Sequence, residues 1–379
     1  MVIAGGGLAG AAAACLLARA GRAVCVIERE RSAKHKVCGE FLSYEAQHYL
    51  SELGLDLAKL GAIPIDRVRL LHRKHAIGAD LPFRGMSLSR HVLDEALLEL
   101  ATSHGAEVIR GHVIREIDLT GEMRLVVDEI GEVRPEALFL ACGKHEIRGA
   151  GRRSSARPND LIGLKTYLRL APDQVDALRE QVEIILFRGG YAGLQMVEGD
   201  LANLCLLMRR KRFDEAGQDW MSLIASLKLE TLQLRDRLMG AVEELERPLA
   251  ISRIPFGFVH HPNNCDNSAF FRLGDQLAVT PSFTGDGMSI ALHTAFAASE
   301  ACLIGEAAEV YHRRMRAEIG PQVARAGILS AGMLHDVGQV AIMAVARVIP
   351  SLLRSAATVT RIPSISGRTL PTRLCTVAD

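Results

Sequence analysis

The chain has 379 residues, more than one hydrophobic core ordinarily serves, so two packed regions are expected. Hydrophobic residues at 49% and charged residues at 23% exclude an intrinsically disordered chain. A net charge of +1 provides no field for a polyanion, and nucleic acid is not expected as a partner.

The eight cysteines (15, 25, 38, 142, 205, 265, 302 and 375) contain no C-x-x-C pair and no adjoining histidine cluster, so no metal site is expected. Cys25 and Cys205 sit in apolar runs and read as small core residues. Free thiols in these settings suit a reducing cytoplasm. The sequence carries no signal for an oligomeric state.

Met1-Val2-Ile3-Ala4 is a β-type run that enters Gly5-Gly6-Gly7-Leu8-Ala9-Gly10 directly. No basic residues precede the apolar run, so a signal peptide is not expected. Helix formers follow from Ala11 to Ala20, Gly21 stops them, and Ala23–Ile27 reads as a buried parallel strand ending at Glu28. This is a βαβ unit. Gly5 permits the tight turn, Gly7 lets the backbone approach a pyrophosphate, and Gly10 lets the helix pack on the strand. The helix start, with Leu8 and Ala9, offers unpaired N–H groups to the phosphates. Glu28 is placed to accept from adenosine ribose hydroxyls, with Arg29 beside it, and would repel a 2′-phosphate. The residues alone specify a dinucleotide, FAD or NAD.

Lys36-Val37-Cys38-Gly39-Glu40-Phe41 follows as a glycine turn holding a cysteine near a basic residue. Ser89-Arg90 opens a helix running through Ala101, and Leu138–Gly143 reads as the next buried strand. From Leu161 to Arg210, strand-like runs alternate with turns at Gly189-Gly190 and Gly199-Asp200, predicting a mixed, largely antiparallel sheet. Helices are expected near Asp219–Leu229 and Leu232–Leu245. Leu186, Tyr191, Leu194, Met196 and Leu206 suit a bulky, poorly polar substrate, and core packing accounts for them equally. Tyr191 could offer a substrate hydrogen bond. His260-His261-Pro262 is either a loop feature or an acid–base candidate at His261. Phe270–Asp275 reads as a strand closed by Gly274-Asp275, followed by Pro281, Gly285, Gly287 and an alanine-rich helix from Met288 to Leu303, in which His293 falls at core-like spacing.

The carboxy-terminal part is expected to be helical from Tyr311 to about Ala357 and irregular beyond. His335, Asp336, Gln339 and Arg347 interrupt the apolar stretch Ile328–Val348, which argues against a membrane span. The segment is expected to cap a substrate pocket; rest on a membrane surface is the alternative, and membrane contact is not expected.

Gly274, Asp275, Pro281, Gly285 and Gly287, in this order and spacing, resemble the late motif of the FAD-dependent family that includes aromatic hydroxylases, geranylgeranyl reductases and flavin-dependent halogenases. The resemblance implies a glutathione-reductase-type, Rossmann-like α/β FAD-binding domain, an inserted mixed β-sheet substrate domain and a carboxy-terminal helical segment. On that pattern the FAD-binding part takes residues 1–75, 88–155 and 265–310. The substrate part takes 76–87 and 156–264, and the helical segment takes 311–379. It further implies that Asp275 holds the ribityl chain, that the Gly285–Met288 backbone lies beside the flavin ring, and that Arg90 reaches the cofactor. Lys36-x-Cys38-Gly39 resembles a segment of geranylgeranyl-reductase-like flavoproteins, which puts Cys38 near the flavin, with Glu40 or Lys36 in polar or proton-transfer roles. Family hydroxylases carry Asp-Gly where this chain has Cys142-Gly143, a departure that puts direct NADPH use in doubt; NADPH or NADH is the electron donor considered.

Three readings follow. The first is a monooxygenase using reduced FAD and O2 on a bulky, poorly polar or aromatic small molecule. The second is a reductase of carbon–carbon double bonds, and the third a flavin-binding protein without turnover. Halogenation is disfavoured, because Trp220 is the only tryptophan and a Trp-x-Trp-x-Ile-Pro segment is missing.

Overall fold

In a computed structural model the described residues are 1–152, 160–262 and 267–362. Cys265, Cys375 and the tail from 363 lie outside them.

Val2–Ala4 is the centre of a five-stranded parallel sheet whose order is Phe270–Arg272, Leu138–Leu140, Val2–Ala4, Cys25–Glu28, Glu107–Arg110. Strand periodicity sorts its side chains into two layers. Ile3, Val26, Phe139 and Phe271 point into a core shared with the helices Leu8–Arg19, Arg90–Ser103 and Gly287–Leu303. Val2, Ala4, Ile27, Leu138, Leu140 and Phe270 point the other way, onto a three-stranded sheet of Ile114–Asp118, Arg124–Val127 and Gly131–Val133. Short apolar strands of this kind need both faces covered, and both are.

The second sheet has nine strands, and all its pairings are antiparallel except that of Gln181–Phe187 with Ile63–His72. Its central strands run Leu161–Arg169, Leu201–Arg209, Gly190–Val197, Gln181–Phe187, Ile63–His72, His75–Ser87. The expected architecture is therefore present. Ile63–His72, assigned with the FAD-binding part on sequence, belongs by its hydrogen bonds to this sheet. One sheet face, carrying Leu164, Leu194, Leu204 and Leu206, is covered by the helices Trp220–Glu230 and Leu232–Arg237. The second of these is shorter than expected, and Val242–Glu243 returns as an edge strand.

The opposite face turns toward the loops of the parallel sheet, and part of it is roofed by the carboxy-terminal helices Ala308–Met333, Asp336–Val348 and Ser351–Val359. Among the described residues no single helix is long and apolar enough to cross a membrane. The first two carboxy-terminal helices meet at a bend of 104°. The bend falls at Leu334-His335, inside the segment expected to be helical from Tyr311 to about Ala357, and at the first of the polar residues that interrupt its apolar stretch.

Candidate active site

Two of the amino-terminal glycines are dictated by packing. A Cβ on Gly10 would stand 1.9 Å from the Gly5 carbonyl oxygen, and one on Gly5, whose φ is +105°, would stand 2.8 Å from that of Ala141. Gly7 is different. Its φ is −73°, and a Cβ there would meet the polar ends of Lys36, at 3.4 Å, Arg90, at 3.5 Å, and Asp94, at 3.9 Å. Gly7 caps the first helix without any side-chain cap, so the helix start, where Leu8 and Ala9 bury their side chains, keeps its N–H groups open. Asp94 holds both neighbouring cations: Lys36 Nζ at 2.7 Å, and the Arg90 guanidinium through Nε at 2.7 Å and Nη2 at 2.9 Å. Two cations against one carboxylate leave a net positive charge facing the helix start, which suits a pyrophosphate.

Glu28 accepts from the Gly6 N–H at 2.5 Å and the Glu30 N–H at 2.9 Å, so its carboxylate shapes the loop while keeping lone pairs for a further donor. Arg29 pairs with Glu30 at 3.1 Å, half exposed.

The Lys36–Phe41 loop is tied down through Glu40, which takes a φ of +61°, uncommon for a non-glycine residue. Its carboxylate has no exposed surface. It accepts from the Arg90 N–H at 2.8 Å, Tyr167 Oη at 2.7 Å and Asn203 Nδ2 at 3.0 Å, and pairs with the fully buried Lys165 Nζ at 2.6 Å. Burial pushes the Glu40 carboxyl up, against the pull of Lys165 and these donors. Asn203 also donates to the carbonyls of Cys38 and Gly39. Glu40, expected among the catalytic groups, is thus enclosed beneath the loop, where it sets the loop's position. Cys38 stays half-buried beside it, its sulfur accepting from the Glu40 N–H at 3.4 Å. His35 stacks on His91 and reaches the Tyr167 hydroxyl at 3.1 Å, and burial, then His91, lower its pKa to about 4.

The late motif forms the other wall. Asp275, in a single helical turn after Gly274, pairs with Lys144 Nζ at 3.0 Å. Arg152 donates to the carbonyls of Gly143, Lys144 and Asp275, joining the Cys142-Gly143 turn to the Gly274-Asp275 turn. Burial raises the Cys142 thiol to about 12, so it is a neutral group there. Pro281 leads into a turn ending at Gly285, whose φ is +71°. Asp286 then caps the helix Gly287–Leu303 with no side-chain bond to it, leaving the helix start open before the buried Met288.

Gly287 needs no left-handed backbone, and a Cβ on it would meet nothing within 4 Å; the same is true of Gly39. Neither conformation nor protein packing accounts for these two glycines. The open space beside the loop and the turn would admit a flat group.

The floor between the two walls is the sheet face. Gly193 pairs with Cys205, and Tyr191 with Leu207 on the neighbouring strand. A Cβ on Gly193 would meet nothing within 4 Å, so Gly193 and the half-buried Cys205 leave a shallow notch. Cys205 was expected in the core. The strand alternation places it instead on this face, away from its core neighbours Leu204 and Leu206. Burial raises its thiol to about 12, and Lys165, Cys38, Glu40 and Lys144 all act on it. Tyr191 bonds its hydroxyl to Ser282 Oγ at 2.9 Å and meets the Phe283 ring edge-on.

His261, the other acid–base candidate, is exposed. His260 packs against His312, whose pKa burial drives to about 2, so His312 is neutral there. His293 bonds Tyr49 at 2.6 Å and Glu318 at 2.9 Å inside the helical core, as a structural residue would.

Lys144, Lys165, Tyr167, Asn203 and Asp286 were not singled out on sequence. Lys144 follows Cys142-Gly143 directly, and a basic residue after a strand-ending glycine was the available signal. Lys165, Tyr167 and Asn203 become neighbours only through sheet register, since Tyr167 pairs with Asn203 and Lys165 with Cys205, whereas Asp286 stands between two glycines of the late motif.

The open helix start with its cations, the acid at the end of the second strand and the two glycines facing open space fit FAD. The family described as FAD binding domain matches residues 1–133. A menaquinone reductase of Mycolicibacterium smegmatis is 26% identical over 328 residues, covering 79% of this chain and 75% of that protein. Protein FixC of Escherichia coli strain K12 is 26% identical over 189 residues, 46% of this chain and 44% of FixC, so the match spans less than half of its length. Among solved structures, the flavin-dependent brominase Bmp2 superposes with a TM-score of 0.75 at 16% identity, over 95% of this chain and 92% of that one. PqsL of Pseudomonas aeruginosa, described as a probable FAD-dependent monooxygenase, gives 0.68 at 20% identity over 88% and 94%. Its complex with 2-aminobenzoylacetate gives 0.69 at 20% over 89% and 97%. The chain is an FAD-dependent oxidoreductase with the fold of the aromatic-hydroxylase-type flavoproteins.

Proposed function

We propose that the chain is a monooxygenase acting on a bulky, poorly polar or aromatic small molecule, with NADPH or NADH as the source of electrons. The observation that carries the reading is the floor. Gly193 and Cys205 leave a small-residue notch in the sheet face, beside Tyr191 and Leu207, which pack with Met333, Leu334 and Met343 in one apolar cluster. FAD, when bound and reduced, supplies electrons to dioxygen; the rest of the task falls to the chain's own residues.

Gly7, Lys36, Arg90 and the first helix would hold the pyrophosphate, Glu28 the adenosine ribose and Asp275 the ribityl chain. The open start of the helix Gly287–Leu303 would stabilise negative charge on the ring. Glu40, through Lys165, Tyr167 and Asn203, keeps Cys38 and Gly39 against the ring's position. The apolar roof excludes water, which protects reactive oxygen species from loss to solvent. Tyr191 orients the Ser282–Phe283 turn at the edge of the floor.

A second reading is reduction of a carbon–carbon double bond in an isoprenoid-like molecule. The Lys36-x-Cys38-Gly39 segment and the menaquinone reductase relative, matched over most of its length, favour it. Oxygen separates the two. With the flavin reduced anaerobically and a panel of aromatic and isoprenoid compounds offered, the monooxygenase forms product only when labelled dioxygen is admitted, and the label enters the product. Full product formation without oxygen would replace this reading by the reductase.

A further inference from the structure

The helix Asp336–Val348 is apolar on two sides. Gln339, Met343 and Ala346 are buried against the sheet, and Gln339 Nε2 fastens the helix by donating to the Phe187, Gly190 and Met333 carbonyls. Val337, Val340, Ala341, Ala344, Val345 and Val348 make a continuous stripe on the outer side, at the i, i+3, i+4, i+7 spacing of one helix face. That stripe is open: Val337 is 83% exposed and Val348 79%, and Ile349 and Leu352 extend it into the next helix. Ile328, 74% exposed, lies on the preceding helix. Isolated exposed valines are ordinary, but a stripe this long is not, and it demands a covering surface.

The charge around the stripe indicates which surface. From residue 319 to 362 the chain has four arginines, at 325, 347, 354 and 361, and a single acid, Asp336, with no lysine. Arg368 and Arg373 follow in the sequence, against Asp379. Arg361 is engaged by Asp286, whereas Arg347 and Arg354 are exposed beside the stripe. Arg347 and Arg354 outnumber Asp336, the one acid of this segment, so the rim of the stripe carries net positive charge. An anionic lipid surface answers both features, taking the valines into the headgroup–acyl boundary and the guanidiniums onto its phosphates.

We propose that the outer face of Asp336–Val348, with Ile349, Leu352, Arg347 and Arg354, is a monotopic docking surface for an anionic bilayer. The helix lies in the plane of the interface and does not span it. Docking on this face would put the roof of the candidate site at the membrane, independently of which reaction the site performs.

Cosedimentation of the flavin-loaded full chain with vesicles tests this. Binding to vesicles containing phosphatidylglycerol is expected to exceed binding to pure phosphatidylcholine by tenfold or more, and to weaken with salt. Val340→Asp with Val348→Asp should lower it at least tenfold with bound FAD and circular dichroism unchanged. Should that variant lose its flavin, Val337→Gln with Val348→Gln, at the two most exposed positions, is the replacement. Arg347→Gln with Arg354→Gln should remove the preference for anionic vesicles. Failure to bind phosphatidylglycerol vesicles would overturn the proposal, as would a solution dimer that dissociates in the Val348→Asp variant.

Discussion

Arg361, just past the last described helix, stands 2.9 Å from Asp286 in the middle of the Gly285–Gly287 turn. The same guanidinium donates to the Thr284 carbonyl and lies over the Phe83 ring, so the carboxy-terminal segment clasps the turn that the late motif builds.

Asp286 is fully buried, and burial raises its carboxyl to about 7, against Arg361, which lowers it, and with Glu45, which raises it. The folded state therefore keeps a proton that the unfolded chain releases between the ordinary carboxylate range and about pH 7. Stability from this group is full below that window and is lost as pH rises through it. Arg361→Gln removes the balancing cation. Without that cation the carboxyl is pushed up further, so the variant must hold it protonated or bear an unpaired buried charge at pH 8. The expected cost is up to about 3–5 kcal/mol there and much less at pH 5, where it is already protonated. Urea melts at the two pH values check it; an equal loss at both would show that Arg361 acts by packing alone.

The glycines of the first loop should separate by what their Cβ would meet. Gly10→Ala cannot be accommodated against the Gly5 carbonyl, and should cost more than about 3 kcal/mol of fold stability. Gly7→Ala meets only flexible side-chain ends. It should leave the apoprotein melting temperature nearly unchanged while lowering FAD affinity at least tenfold. Thermal melts and flavin titration of the two variants distinguish the outcomes.

Glu40 and Lys165 form a fully buried pair, so Glu40→Gln or Lys165→Met alone should cost about 3–5 kcal/mol. The double variant should recover most of that loss, because neither charge is left alone. A double-mutant cycle by denaturant unfolding measures the coupling, and purely additive losses would refute it.

Gly193→Val fills the notch on the floor without touching the cofactor loops. The bound flavin spectrum should be unchanged, and KM for whichever compound is turned over should rise tenfold or more. Tyr191→Phe removes one hydrogen bond to Ser282 and should cost about 1 kcal/mol of stability. A steady-state comparison of both variants reports whether the floor receives substrate.

The cofactor half was legible because its constraints are local. A tight turn, a helix start and an acid after a strand are written within Met1–Glu28, and the Gly274–Gly287 spacing is nearly as compact. The floor was not legible. Whether Cys205 faces the core or the site depends on strand register, and a one-residue shift would exchange the faces. Glu40 is similar: its residue type suggested proton transfer, but its surroundings come from three distant strand positions, Lys165, Tyr167 and Asn203. The break at Leu334-His335 coincides with polar residues that argue against a membrane span, but helix formers on both sides hide it as a bend. The outward stripe behind it became visible only once Gln339 showed which face is fastened to the sheet.

Binding of FAD on the Gly5–Gly10 loop is tested most directly by the visible spectrum and flavin content of the purified chain, with Gly7→Ala beside it. An oxidised-flavin spectrum and FAD at one per chain are expected, with loss or weakening in Gly7→Ala while the fold stays intact. Colourless protein that takes up no FAD on titration, or full FAD retention in Gly7→Ala, would contradict it.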